Sequence, residues 1–433
     1  MLLLLTAGAF LMPLLAERIG WFVAPCEMLY GTVVANFVPG ADQPGAFILT
    51  LSQFGFLLLL FLAGLEIDFD LIQRRGARMV LRAGLAAAGI QILAAGFGLL
   101  AHWPPVYVLL LGALSVSVLL VVLQQDNMSQ RPFGQTMLIV GAIGEFLSIL
   151  ELTAYDLISH HGLGWPLAIA ALKLLALLVL GYIALRGLIW IIAQQLHHKW
   201  RWFARYHPSE VGVRAAFALM LCFAAAAVWL GVEQILATFI AGAVYSFAFR
   251  RRTVVAEKLT TIGQSFFVPV FFITVGLGLR LGDFVRGPAL ATVAGLTLSM
   301  LLVRVLAIPV LRLAGLKWSA TLPGTLLLAA PLTLQVAVVQ VGIDLGQVGA
   351  QTRGVALGAA IVGAVLFPLL ARPLMPTTRA RRAASATGQA PVEAVRTRAR
   401  VAFQRARTRF ARQLGNSPHE SAPRSPVPPA TRR

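Results

Sequence analysis

An all-α polytopic membrane protein of about thirteen transmembrane helices is the fold class this sequence predicts, and three observations carry it. Of its 433 residues, 58% are hydrophobic and only 12% are charged, with a mean hydropathy of +0.80. Apolar runs of about twenty residues, the length that crosses a ~30 Å hydrocarbon core, recur from Leu2 to Leu374. Lysine and arginine fall almost entirely in alternate loops, as the positive-inside rule requires of a chain that weaves through a bilayer. Soluble domains do not leave so little charge among so many apolar runs.

Taken in order, a hydropathy window of about 19 residues places spans near 1–16, 24–38, 45–65, 79–101, 105–124, 132–158, 166–194, 209–230, 233–249, 260–279, 288–312, 320–342 and 354–374. The opening MLLLLTAGAFLMPLLAERIG lacks the basic n-region of a signal peptide and reads as the first span. One set of loops holds Arg74, Arg75, Arg78, Arg131, Lys199, Arg250, Arg251, Arg252 and Lys317; the other holds only Arg280, Arg286 and Arg353. The first set is therefore expected in the cytoplasm, with the N-terminus outside and the C-terminus inside, as an odd number of spans demands.

Spans 2–6 and 9–13 are seven apart and so run in opposite directions, which is the parity an inverted-topology repeat needs. Corresponding interruptions strengthen that expectation. Span 5 carries Ser115, Val116 and Ser117 at its middle, and span 12 carries Pro331, Leu332 and Thr333 at its middle. Proline removes a backbone donor, and a broken helix at membrane depth is tolerated only where it is buried or lines a cavity. Two broken crossover helices are the expected result.

The sixth span, RPFGQTMLIVGAIGEFLSILELTAYDLISH, has a carboxylate at its centre. From Pro132 to Glu145 is roughly 20 Å of helix, which places the acid near the bilayer middle. An acid there costs about 2.5–3.5 kcal/mol on the insertion scale, so it is expected to face a protein interior or water and to have a function. Arg304 in span 11 lies at comparable depth and, being always protonated, needs a partner too. Glu151 falls near the same level, about 240° around the helix from Glu145 and roughly 9 Å along it. Glu145 with Ser115 and Ser117 is the candidate ion and proton site; Arg304 and Glu151 are candidate charge partners; Pro331 and Thr333 mark the second break.

The net charge of +19 does not signal nucleic acid, because thirteen arginines against two glutamates lie in 376–433. That stretch is expected to form a basic, largely disordered cytoplasmic tail apart from a transmembrane domain of 1–375. Within it VEAVRTRARVAFQRARTRFARQL has the composition of a helix that lies on anionic lipid. The two cysteines sit in apolar segments and the seven histidines show no ligand spacing, so neither a disulfide framework nor a transition-metal site is expected. No phosphate-binding loop or dinucleotide fingerprint is present, so no cofactor and no enzymatic chemistry are expected.

Several stretches resemble the monovalent cation/proton antiporters, specifically the branch of sodium/proton and Kef-like potassium/proton exchangers. They are APCEMLYGTVVANF with Pro25, Glu27 and Gly31; FGFLLLLFLAGLEID; ALSVSVLLVVLQQ followed by the sixth span; ATFIAGAVYS; and FFVPVFFITVGLGLRL. The resemblance implies that Glu145 takes the place of the family's ion-binding aspartate, that Ser115 lies in the first crossover, and that Arg304 occupies the core basic position. It also implies a core near 79–158 and 288–374 moving against a remainder that serves as a dimerising scaffold, in a homodimer in the bacterial inner membrane. Two departures stand out: Gly144 replaces the Asp, Asn or Gln that usually precedes the acid, and APLTLQ in span 12 lacks the family's glycine and glutamate.

The function expected from these residues is exchange of Na⁺ or K⁺ for protons, the two competing for the single carboxylate Glu145, which acts as the alkali-cation ligand. With Gly144 offering no second acid, the exchange is expected to be electroneutral. Two other readings stay open at this point: a sodium-coupled symporter of an organic anion on a similar fold, and a membrane sensor that kept the fold without transport.

Overall fold

The computed structural model describes residues 1–126, 128–162, 164–170, 172–173, 175–176, 179, 183, 208–231, 234–248, 253–280 and 287–375. The chain divides into two units, Met1–Met375 and Pro376–Arg433. The second, with its expected lipid-binding helix, lies outside the described residues, as do Lys199, Arg250, Arg251, Arg252, Arg286 and most of span 7.

Among the described residues the structure is helical without strands. Among the described residues nine helices are long and apolar enough to cross a membrane, and one bent pair makes a tenth. The spans begin with α1 (Leu2–Ile19), α2 (Val23–Phe37) and α3 (Ala46–Leu65). A short α4 (Phe69–Arg75), capped by Asp68 Oδ1 accepting from the Leu71 amide at 2.8 Å, leads into α5 (Ala77–Leu100). The fifth span is two half-helices, α6 (Pro105–Gly112) and α7 (Ser117–Gln125), and the sixth is one long helix, α8 (Pro132–His161). Prolines open α6 and α8 at the first turn, where a missing N–H costs nothing.

After span 7 come α9 (Pro208–Leu230) and α10 (Gln234–Ala248). Next are α11 (Thr253–Ile262), running through a π-helical turn at Gly263–Phe267 into α12 (Val268–Leu277), and then α13 (Gly287–Leu306) with a short α14 (Ile308–Leu311). The last span pair is α15 (Trp318–Leu328) and α16 (Leu332–Asp344), bent by 41°, followed by α17 (Ala350–Ala371).

Two expected boundaries are corrected. The tenth span starts at Thr253 rather than near 260, because Glu257 and Lys258 lower the hydropathy of an opening segment that the helix nonetheless includes. The eleventh stops at Leu306 rather than 312, because Pro309 takes away an amide and crowds the preceding turn.

The inverted repeat is visible in two helix crossings. At α2 against α12, Gly31 faces the Ile273 carbonyl and Gly276 faces the Met28 carbonyl, each so closely that no β-carbon fits between them. At α3 against α10, Gly242 faces the Phe61 carbonyl and Gly64 the Phe239 carbonyl in the same way. Gly242 follows Gly31, Phe239 follows Met28, Ile273 follows Phe61 and Gly276 follows Gly64 by the same sequence offset to within one residue. The second crossing is thus the first with its partners exchanged. Gly55 packs on the carbonyl of Phe267, its own counterpart at that offset, as a residue near a pseudo-two-fold axis must. Such small-residue contacts are how helices associate where lipid supplies no hydrophobic drive.

Interior positions are apolar and filled, with Leu58, Phe61, Phe239 and Phe272 all buried. The outside is apolar as well: Leu3, Phe10, Leu99, Leu100 and Trp229 are exposed. A surface of that kind is covered by lipid chains rather than water.

Candidate functional site

Breaking a helix leaves the amides that follow the break without intrahelical acceptors. In the fifth span the break is at Ala113–Val116, and α8 supplies the missing partners from one face. Glu145 and Ser148 are three apart and so point the same way. Glu145 Oε2 accepts from the Val116 amide at 3.0 Å, and its Oε1 accepts from the Ser115 hydroxyl at 2.8 Å. Ser148 Oγ accepts from the Leu114 amide at 3.0 Å while donating to the Gly144 carbonyl at 2.8 Å. Ser115 Oγ also receives the Ser117 amide at 3.4 Å. Glu145 is only 2% exposed.

The electrostatics follow from the half-helix ends. Glu145 sits at the N-terminal end of α7, where the helix dipole is positive and favours an anion. Arg304, 1% exposed, donates from Nη2 to the Ala113 carbonyl at 2.7 Å, at the negative C-terminal end of α6. No ion pair joins Arg304 to Glu145 or Glu151 among the described residues. The guanidinium faces a helix end, not a carboxylate, and its Nε and Nη1 have no hydrogen-bond partner. Glu151 is likewise away from Glu145: it lies beside Gly112 and Gln91. Gln91 is 2.9 Å from Ser148 Oγ, and in the amide orientation that satisfies both of its ends its nitrogen reaches Glu151 Oε1 at 3.3 Å.

Gly144 has a steric reason. A β-carbon there would lie 2.9 Å from Leu114 Cβ and 2.6 Å from Leu114 Cδ1, inside the break itself. The unwound segment therefore occupies the place where a side chain before Glu145 would begin.

The second break, Ala329–Pro331, is built differently. Pro331 ends it as the residue before α16, with its carbonyl accepting from the Gln335 amide at 2.9 Å. That carbonyl is thus engaged by the helix. Thr333 is half-buried in the first turn of α16. Gln335, one turn further on, is 1% exposed; its Nε2 is 3.6 Å from Met300 Sδ and its Oε1 has no partner.

Reading the sequence missed three participants. Ser148 and Gln91 are ordinary polar residues in apolar helices, with no local sign that they meet the break. Glu66 did carry a signal, since it ends an otherwise uncharged stretch from Ala46 to Leu65. Its Oε2 accepts from the Ser117 hydroxyl at 3.1 Å. It also lines a cavity of about 510 Å³ with Asp68, Asp70, Arg74, Arg75 and Gln135. A second cavity of about 500 Å³, at the opposite ends of the helices, is lined by Asp42, Gln53, Gln340, Asp344 and Arg353 among others.

The family model described as sodium/hydrogen exchanger, transmembrane, matches residues 6–376. The chain is similar to the putative Na(+)/H(+) antiporter YjbQ of Bacillus subtilis, 25% identical over 397 residues, 84% of this chain and 61% of that protein. It thus spans less than two thirds of that relative's length. It is also similar to the probable Na(+)/H(+) antiporter 3 of Methanocaldococcus jannaschii, 20% identical over 382 residues, 84% of this chain and 93% of that one. The Na(+)/H(+)-K(+) antiporter GerN of Bacillus cereus is 26% identical over 270 residues, 61% of this chain and 67% of its own. Among solved structures, that of the sodium proton antiporter MjNhaP1 from Methanocaldococcus jannaschii at pH 8 matches with a TM-score of 0.60 and 16% identity. It covers 87% of this chain and 95% of that one, a likeness of fold. Apolar spans, the broken helices and a family match over nearly all the described residues lead to one conclusion: the chain is an integral membrane protein of the sodium/hydrogen exchanger family.

Proposed function

We propose that this chain is a secondary active antiporter in which a monovalent alkali cation, Na⁺ or K⁺, and a proton compete for Glu145. The observation that carries the reading is the setting of that carboxylate: buried, at a positive half-helix end, and bonded to Ser115 and Val116 of the break. Hard oxygen ligands suit an alkali cation, and the carboxylate with the Ser115 hydroxyl supplies them. The relatives' names, Na(+)/H(+) antiporter and Na(+)/H(+)-K(+) antiporter, support the ion class and leave both cations in the proposal.

Competition supplies the coupling. When a cation leaves Glu145, a proton takes the charge it leaves behind, and the core crosses only in one of these two neutralised forms. Arg304 stays protonated throughout, because a guanidinium does not titrate in the accessible range. Its role in this reading is to hold the Ala113 end of α6 while the other half of the break receives ions. Gly144 leaves no room for a neighbouring acid without moving Leu114, so Glu145 exchanges one proton per cation and the cycle is electroneutral. Elements near 79–158 and 288–374 form the moving core against a homodimeric scaffold. The cavity at Glu66 opens to the cytoplasm, with Arg74 and Arg75 at its rim.

The test is flux in proteoliposomes under an imposed pH gradient, with Na⁺, K⁺ and Li⁺ offered separately. Dissipation of the gradient by Na⁺ or K⁺, with a steady-state cation gradient indifferent to an imposed membrane potential, is the expected result. A potential that drives the cation uphill would reject the one-carboxylate cycle, and no response to any cation would reject exchange.

A further inference from the structure

Glu151 is not used by the mechanism above, yet one amide ties it to the break. Gln91 of α5, buried, stands between Glu151 and Ser148 of α8: one end of its amide is 2.9 Å from Ser148 Oγ and the other is 3.3 Å from Glu151 Oε1. Ser148 Oγ in turn holds the Leu114 amide at 3.0 Å and lies 2.8 Å from the Gly144 carbonyl. Glu151 itself is half-buried in an apolar span, a setting that an acid rarely occupies without a function.

Donor and acceptor counting gives this junction two complete arrangements. An ionised Glu151 only accepts, so it takes the Gln91 nitrogen; the Gln91 oxygen then receives the Ser148 hydroxyl hydrogen at 2.9 Å, and the Gly144 carbonyl loses that donor. A protonated Glu151 donates, so it takes the Gln91 oxygen. The Gln91 nitrogen then turns to Ser148, whose oxygen accepts from both Gln91 and Leu114 while its hydrogen returns to the Gly144 carbonyl. Leu114 is bonded in both arrangements, but to a hydroxyl that is polarised differently, and hydrogen bonds in a chain alter one another's strength. Leu114 and Gly144 adjoin Ser115 and Glu145, so the change arrives at the ion site.

Among the described residues no charged group pairs with Glu151. α5 faces it with Gln91 and α6 with Gly112. Arg78 and Arg82 lie at the opposite end of α5, and Tyr107 of α6 packs on Trp103. Arg304 of α13 is turned to the Ala113 carbonyl, and Asp344 of α16 is held by Gln340. Farther along α8, Asp156 pairs with His160 and Tyr155 donates to Gln347; at its other end Arg75 of α4 donates to Gln135. The helices α7, α10 and α15 contain no charged residue.

Resting on the exchange reading, we infer that Glu151 and Gln91 are positioning residues: a proton on Glu151 turns the Gln91 amide, and through it Ser148, between two hydrogen-bond arrangements that set the break against Glu145. That proton stays with α8 through the cycle, so it tunes exchange without entering the stoichiometry.

The test is the cation KM against pH in proteoliposomes containing the full chain, with Na⁺ and K⁺ as probes. Competition at one carboxylate bends the logarithm of KM once, and Glu151 adds a second step. Glu151→Gln and Gln91→Leu should each remove that step, a change of about threefold to tenfold, and keep maximal rate within about threefold of wild type. The double variant should match either single one to within about twofold, because both cut the same link. If Glu151→Gln fails to reach the membrane, Gln91→Leu must show the loss. A profile unchanged by both variants, or a step that survives Gln91→Leu, would overturn the relay. Loss of exchange at every pH in Glu151→Gln, or a response to membrane potential that this variant removes, would make Glu151 a carrier and overturn it too. Failure of the exchange reading looks different: an inactive wild type, or a Glu145→Gln variant that still exchanges.

Discussion

The two broken helices occupy corresponding places in an inverted repeat, yet they solve the same backbone problem in opposite ways. At Ala113–Val116 the unpaired amides are answered by side chains from another helix: Ser148 takes Leu114, Glu145 takes Val116, and Arg304 covers the Ala113 carbonyl. At Ala329–Pro331 no side chain bonds to the broken backbone among the described residues, and one amide is simply missing because the residue is proline. A break held by polar side chains is one whose geometry depends on their charge and occupancy, so it can respond to an ion. A break built from proline and alanine is set by covalent structure and does not need a partner.

Three substitutions test that contrast. Glu145→Gln should abolish cation-dependent proton flux in proteoliposomes while the purified protein keeps its helix content and monodispersity. The amide retains one acceptor for the break, so the structural loss is one hydrogen bond, about 1 kcal/mol, whereas the charge on which competition depends is gone. Near wild-type exchange by this variant would remove Glu145 from the site.

Gly144→Asp comes second and works against a simple expectation from the family's paired residues. Because its β-carbon would press on Leu114 Cβ, the substitution should overpack the break and lower thermal stability, by about 1–3 kcal/mol for such strain, and slow exchange without creating a second proton carrier. A stable variant with potential-driven uptake would show that the break can yield and that the glycine alone keeps the cycle neutral.

Pro331→Ala should matter least. It returns an amide to a position whose carbonyl is already used by Gln335, and a proline-to-alanine change at a conformation both residues accept costs under about 1 kcal/mol. Stability and exchange rate close to wild type would fit a second break that serves geometry; loss of exchange as complete as that of Glu145→Gln would erase the distinction between the two.

Much of the fold was legible because membrane insertion acts locally. A run of apolar residues must be helical in lipid whatever surrounds it, and Pro331 interrupts a helix by its own ring. Span positions therefore follow hydropathy closely, and the boundaries that shifted, at Thr253 and Leu306, did so where a charged turn or Pro309 altered the local balance. Counting residues from Pro132 puts Glu145 near the middle of α8.

Hydropathy and proline positions alone marked which segments are apolar enough to cross, where two of them break, and that Glu145 and Arg304 lie inside apolar stretches. Which way those side chains point follows from how the helices pack. That packing turned Arg304 to the Ala113 carbonyl rather than to a carboxylate, set Glu151 beside Gln91, brought Ser148 of α8 to the break, and set Glu66, just past α3, against Ser117 at the start of α7. Rotation about the helix axis is the cause. Depth along a helix follows from the rise per residue, but the face a residue presents is fixed by how neighbouring helices pack. Here that packing is set by glycine crossings between residues far apart in the chain, Gly31 with Gly276 and Gly64 with Gly242.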